Sequence, residues 1–250
     1  MIEFIVILTK DNINDINEWL KSLNEEGGIS LLIKEKGWTS FDLVAKLRNL
    51  TGIRKIGHSG TLDPLATGLM IIMFGRATKK ASMFSDLNKR YLATVKFGAR
   101  TATYDREMEE EDLKNIDDLD FDKIKNILEG FKGKIIQKPP IYSAKSFKGK
   151  KLYKIIRGKQ DLNEDIINEI REIKKNEVEI YQLELLNYLN GIGIIDINCS
   201  SGTYIRTLVD DIGQKLGTGA YLYDLIRTGI GEFDIKQGFT INEFQNLIKI

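Results

Sequence analysis

The chain has 250 residues, a formal net charge of +1, one histidine, one cysteine and three prolines. Its apolar share of 42% and charged share of 29% suit a globular protein with room for one large domain or two small ones, and no apolar run approaches the roughly 20 residues of a membrane span. The single cysteine, Cys199, excludes an internal disulfide and suits a reducing, cytoplasmic compartment; zinc sites of the His/Cys type and a Walker-type phosphate loop are excluded as well.

In chain order, residues 2–8 read as a strand rather than an export signal, because an acid comes early and no basic lead precedes it. A helix is expected over 13–24, with Ile13, Ile16, Leu20 and Leu23 on one face and Gly27-Gly28 ending it. Residues 29–34 read as a strand. Ser40 then caps a helix over 41–50, with Phe41, Val44, Ala45 and Leu47 toward the core and Gly52 as its stop. The run Leu69-Met70-Ile71-Ile72-Met73-Phe74 reads as a buried strand, followed by a helix over 77–85, a strand over 89–97 and a helix over 121–129. Residues 178–188 alternate as a strand should, and 192–199 form the partner across a turn at Asn190-Gly191. A helix running to about 216 has Ile205, Leu208, Val209, Ile212 and Leu216 as its apolar face, and a last helix covers 240–249. These elements define an α+β protein.

Charge is unevenly spread. Residues 105–122 hold ten acids against Arg106 and Lys114 and read as an exposed loop turned away from any anionic ligand. Residues 132–159 hold ten bases and no acid, interleaved with Tyr142, Phe147 and Tyr153. A charge run alone is commonly a solvated surface, but lysines mixed with aromatics suit a phosphate backbone and unstacked bases, which points to RNA.

The chain is organised around residues 55–70. Gly57, Gly60 and Gly68 allow backbone angles closed to other residues, and Pro64 restricts Asp63 to extended conformations. The stretch reads as a stiff loop that presents one carboxylate, anchored by the strand behind it. The plainer reading is that Asp63-Pro64 only opens a turn.

The string Gly57-His58-Ser59-Gly60-Thr61-Leu62-Asp63-Pro64-Leu65-Ala66-Thr67-Gly68-Leu69 resembles the central motif of the TruB family of tRNA pseudouridine synthases. Further segments are similar to that family: Lys34 with Gly37-Trp38-Thr39-Ser40, where Glu35 and Ile33 stand in place of a proline and an aspartate; Lys89-Arg90-Tyr91; Thr101-x-Thr103-x-Asp105; Pro140-Ile141-Tyr142-Ser143-Ala144; Cys199 through Leu208 with Gly202-Thr203-Tyr204-Ile205-Arg206; and Leu225-Ile226-Arg227-Thr228. The resemblance covers residues 28–249. It implies a catalytic domain over 28–250, a mixed, largely antiparallel sheet flanked by helices around a central cleft, an N-terminal extension (1–27) of unknown role, and no C-terminal PUA domain.

The resemblance also implies a reaction. The T-loop uridine of tRNA, position 55, is flipped out and isomerised to pseudouridine: the C1′–N1 bond breaks and a C1′–C5 bond forms. No atoms leave, so neither cofactor nor metal is needed. Asp63 is implied as the catalytic carboxylate, acting as nucleophile or as base. Arg206 is implied as its partner and Tyr91 as the tyrosine against the target base. His58 helps hold the T-loop open, Leu225 packs on the base, and Tyr204, Lys34 and Tyr142 complete the substrate contacts. The implied partner is the T-arm of tRNA, bound by a monomer without membrane or metal. Two rivals remain at this point: a non-catalytic module that folds RNA through the same surface, and a small-molecule lyase using Asp63.

Overall fold

Strand β1 (Ile7–Leu8) leads into a 3-10 turn over Lys10–Asp15, and helix α1 follows at Ile16–Glu25. The helix starts later than the apolar spacing suggests, because Thr9 and Asn12 close a capping box on the 3-10 turn and Asn12 leaves helical angles. Strand β2 (Gly28–Lys34) and helix α2 (Ser40–Thr51) come next. The cap of α2 is Thr39, in a capping box with Asp42, and not Ser40 as expected. Phe41, expected in the core, is 63% exposed; Leu43 takes the inward place beside Val44 and Leu47.

Strand β3 (Ile56–His58), strand β4 (Thr67–Phe74), a 3-10 turn over Gly75–Lys80, helix α3 (Ala81–Ser85) and strand β5 (Lys89–Phe97) follow. The expected helix over 77–85 is therefore half 3-10. Then come α4 (Phe121–Glu129), capped by Asp120, and strands β6 (Gly133–Gln137), β7 (Ser146–Phe147) and β8 (Lys150–Lys151). Strands β9 (Asn176–Leu189) and β10 (Ile192–Cys199) precede helix α5 (Ile205–Leu216), strand β11 (Ala220–Ile230), strand β12 (Phe233–Asp234) and helix α6 (Ile241–Leu247).

The structure is a computed structural model and describes residues 6–140, 146–147, 150–151 and 175–248. Most of the basic, aromatic stretch, Tyr142 included, lies outside the described residues. Among the described residues no helix is long and apolar enough to cross a membrane.

The fold has two units, one built from the chain up to Tyr91 and again from Leu225, the other from Leu92 to Asp224. The first has a mixed sheet. β2 pairs antiparallel with β4 along its whole length, from Gly28 opposite Phe74 to Lys34 opposite Gly68. β1 adds parallel to β2 at Ile29 and Ser30, and where β1 stops, Phe239 bonds to Leu31 and Ile33. The outer edge of β2 is thus covered by the chain's first and last described segments. Trp19 of α1 is fully buried, donates its indole N–H to Ile29 O at 2.7 Å, and meets Phe74 and Phe244 edge-on at 5.3 and 5.8 Å.

The second unit is antiparallel where its strands pair among themselves: β10 with β9 through the Asn190-Gly191 turn, and β9 with β6. Both turn residues take positive φ, 49° and 78°, as a two-residue hairpin requires. Arg100 forks onto the buried Asp210 of α5 at 2.8 and 3.2 Å, tying that helix to the segment after β5.

Trp19→Ala removes a buried indole and leaves Ile29 O without its donor. It should cost about 3–5 kcal/mol in urea unfolding; a loss below about 1 kcal/mol would show that the N-terminal segment is peripheral.

Candidate active site

The site residues expected from the sequence fall in both units, and each set is described within its own unit. In the first, the anchor is β4. One edge of β4 is occupied by β2; the other is divided. β3 pairs with Ile72–Phe74, and β11 runs parallel beside Thr67 and Gly68. The carbonyls between these pairings need donors, because a buried C=O left unpaired costs about 1–3 kcal/mol. Ser59 N–H meets Ile71 O at 3.1 Å. Leu69 O receives Nε of Arg227, at 2.6 Å.

Arg227 is 1% exposed. Its guanidinium also donates to Gly60 O at 3.3 Å and to the Tyr91 hydroxyl. One side chain of β11 therefore joins the loop after β3, the middle of β4 and the first residues of β5. Burial lowers its affinity for a proton, and Tyr91 opposes that shift. Gly68 is required by the same crossing. Its φ is +116°, and a Cβ there would lie 2.4 Å from Arg227 O.

The Asp63 loop is pinned residue by residue. The Ser40 hydroxyl accepts from Leu62 N–H at 2.9 Å and donates to Leu62 O at 3.1 Å, which is why Ser40 turns inward and leaves the cap to Thr39. Ala66 N–H donates to Asp63 O at 3.1 Å, and Gly37 N–H to Pro64 O at 2.8 Å. The backbone at Asp63-Pro64 makes a turn, closed by the Ala66 N–H to Asp63 O bond, and the Asp63 side chain is half-buried.

Lys34, expected to contact substrate, is fully buried. Its ammonium donates to Glu35 O at 3.0 Å and Trp38 O at 2.7 Å, so it holds the turn that in turn holds Pro64. Burial brings its pKa down to about 8, partly offset by the Asp63 carboxylate and reinforced by Arg227. His58 is half-buried, and its Nδ1 accepts from Gly60 N–H at 3.3 Å, which assigns its proton to Nε2. Burial and the positive charge of Arg227 lower its pKa below 6.5, so the ring is neutral at pH 7. Tyr91 and Leu225 are both buried in this unit.

In the second unit the focus is Arg206, in the first turn of α5 and 7% exposed. Its guanidinium donates to Thr103 O at 3.2 Å and to an Asp105 carboxylate oxygen at 3.3 Å. The other Asp105 oxygen accepts from the Thr103 hydroxyl at 2.6 Å and from Glu107 N–H at 3.0 Å. Asp105 is 1% exposed and so does not belong with the solvated acids that follow it. Tyr204, half-buried, is the N-cap residue of α5. The buried Gln137 at the end of β6 makes reciprocal bonds to its backbone, 2.9 and 3.2 Å. Nearby lysines of the basic run are partly neutralised, Lys132 by Glu129 and Lys134 by Glu177. Among the described residues, no group of three or more His, Cys, Asp and Glu side chains is arranged to hold a metal ion.

Arg227, Asp105 and Gln137 are the residues missing from a sequence-based site. Arg227 and Asp105 lie inside motif segments, which was their available signal; Gln137 carried none.

Comparison with family models places the chain among the pseudouridylate synthases. Residues 48–205 match the model of the TruB family pseudouridylate synthase (N terminal domain), and residues 206–250 that of the tRNA pseudouridylate synthase B C-terminal domain. The chain belongs to the TruB family. Relatives named tRNA pseudouridine synthase B include one from Desulfotalea psychrophila, 42% identical over 218 residues and covering 85% of each chain. Another, from Chloroherpeton thalassium, is 39% identical over 222 residues, covering 87% of this chain and 89% of the relative. Among solved structures, a chain of a Cbf5-Nop10-Gar1 complex superposes with a TM-score of 0.68 at 25% identity, covering 92% of this chain. This chain spans 56% of that one.

Two outcomes follow from this geometry. The single imidazole resonance set should titrate below 6.5 and show the Nε2–H tautomer in nitrogen-detected NMR. The unfolded chain then takes up the proton first as pH falls. The stability linked to His58 is complete above pH 6.5 and declines below it, a slope that His58→Gln should remove. Arg227→Met should cost about 3 kcal/mol or more in urea unfolding, since it strips the donors from the buried Leu69 carbonyl and the part-buried Gly60 carbonyl; Arg227→Lys should recover only part of that, lacking the planar fork.

Proposed function

We propose that this protein isomerises the T-loop uridine at position 55 of tRNA to pseudouridine. Family membership supports this reading, and the observation that carries it is Asp63 on a loop whose neighbours Leu62, Pro64 and Ala66 are each fixed by backbone bonds. A carboxylate held this way needs little reorganisation when a flipped nucleotide arrives. In this reading Asp63 attacks the sugar or takes a proton, Arg206 is the cation that supports it, and Tyr91, oriented by Arg227, lies against the base.

His58, as a neutral donor through Nε2, holds the opened T-loop, Leu225 packs on the base, and Tyr204 and Tyr142 are further substrate contacts in this reading. Lys34 acts indirectly by setting the turn beneath the Asp63 loop. Catalysis belongs to residues 28–250, and the preceding segment contributes to the sheet edge and core. The isomerisation keeps every atom of its substrate, so the proposed enzyme needs no cofactor or metal; in this reading it is a cytoplasmic monomer.

The test is a single-turnover assay on an unmodified tRNA transcript, with pseudouridine mapped by position and Asp63→Asn alongside. Wild type should modify position 55, and the variant should lose roughly a thousandfold or more in rate while still binding the transcript. Binding without pseudouridine from wild type would favour the RNA-folding module instead.

A further inference from the structure

The residue after Asp105 is Arg106, the first base in the acidic run. Five carboxylates follow within six positions, Glu107 and Glu109 through Asp112. Arg106 pairs with none of them; among the described residues it forms no ion pair. Its guanidinium instead lies over the ring of Tyr223, 5.1 Å from the centroid. Both side chains are exposed, Tyr223 at 40%.

The pair stands on a fixed base. Arg106 N–H donates to Leu222 O at 3.1 Å, and Leu222 N–H to Tyr104 O at 3.0 Å, so residues 104–106 run beside β11 next to Tyr223. Asp105, between them, holds Arg206. The neighbouring acids have other engagements: Asp105 is consumed by Arg206 and Thr103, and Glu110 by Lys96 and the Tyr221 hydroxyl.

We propose that the Arg106–Tyr223 stack is a binding subsite for one unpaired RNA base flanking the target uridine. The ring holds the guanidinium from one side, 5.1 Å away, and the exposed remainder of both side chains is open for a base to stack on and for the N–H groups to meet base acceptors. The acidic neighbours select for this occupant. They repel a phosphate, whereas a neutral base pays no such penalty. The placement beside the target rests on the proposed function, because it is Arg206 that marks the reacting nucleotide.

The experiment measures Kd for unmodified T-arm stem-loops carrying an abasic residue at each unpaired position next to the target uridine. Wild type, Arg106→Ala and Tyr223→Ala are compared, with thermal unfolding as the check on folding. At one position the abasic substitution should weaken wild-type binding by about tenfold. Arg106→Ala should lose a similar factor on the intact stem-loop, and the two losses should not multiply. The slope of log Kd against log salt should be the same for Arg106→Ala and wild type. The subsite is overturned if the folded variants bind like wild type, if the losses multiply at every position, or if the salt slope drops, which would mark a phosphate contact. Failure of the proposed function reads out separately, as wild-type protein that makes no pseudouridine on the same stem-loops.

Discussion

The first unit depends on one buried cation. β4 pairs with β3 at one end of an edge and with β11 at the other, and the two partners diverge between. A third strand cannot fit the gap, so a side chain fills it, and arginine is suited because its planar fork serves several acceptors at once. Arg227 donates to Leu69 O, Gly60 O and the Tyr91 hydroxyl. The loop that carries Asp63 begins at one of these acceptors, and the active-site tyrosine of the proposed reaction is another. The charge has electrostatic reach as well: it disfavours the protonated forms of both His58 and Lys34. For His58 burial is the larger cause of the lowered pKa, and the Arg227 charge adds to it.

The second unit repeats the device with opposite emphasis. Here the cation, Arg206, is one of the proposed functional groups, and the fixing element is the buried carboxylate of Asp105, itself satisfied by a hydroxyl and a backbone N–H. A buried charge with all its bonds made is costly to disturb, so such networks hold geometry. Gln137 does for the backbone at Tyr204 what Asp105 does for the side chain of Arg206. Arg206, Tyr204 and Tyr91 thus each have a second residue that places them, and it comes from a distant part of the chain.

Much of the framework was legible in advance. The apolar run of β4, the alternation of β9 and β10, the Asn190-Gly191 turn and the helix ending at Leu216 each follow from interactions within a few residues. The motif strings pointed to Asp63, Tyr91 and Arg206. Less legible was β11, where Asp224, Arg227 and Thr228 interrupt an apolar pattern that otherwise announces a strand. The choice between Thr39 and Ser40 as helix cap was also hidden. Both hydroxyls are good caps, and only the approach of Leu62, 22 residues on, withdraws Ser40.

By itself, the sequence determined the class of fold, the family likeness and the rigid Asp63-Pro64 turn, because periodicity, capping chemistry and proline sterics act locally. Only the tertiary structure decided which charges go inside. Arg227 meets an acceptor 158 residues away, and Arg206 a carboxylate 101 residues away. By composition alone Arg227, Asp105 and Lys34 all belong on the surface. They are buried because the folded chain presents each with enough hydrogen-bonding partners to offset the loss of water, a condition that no local stretch of residues contains.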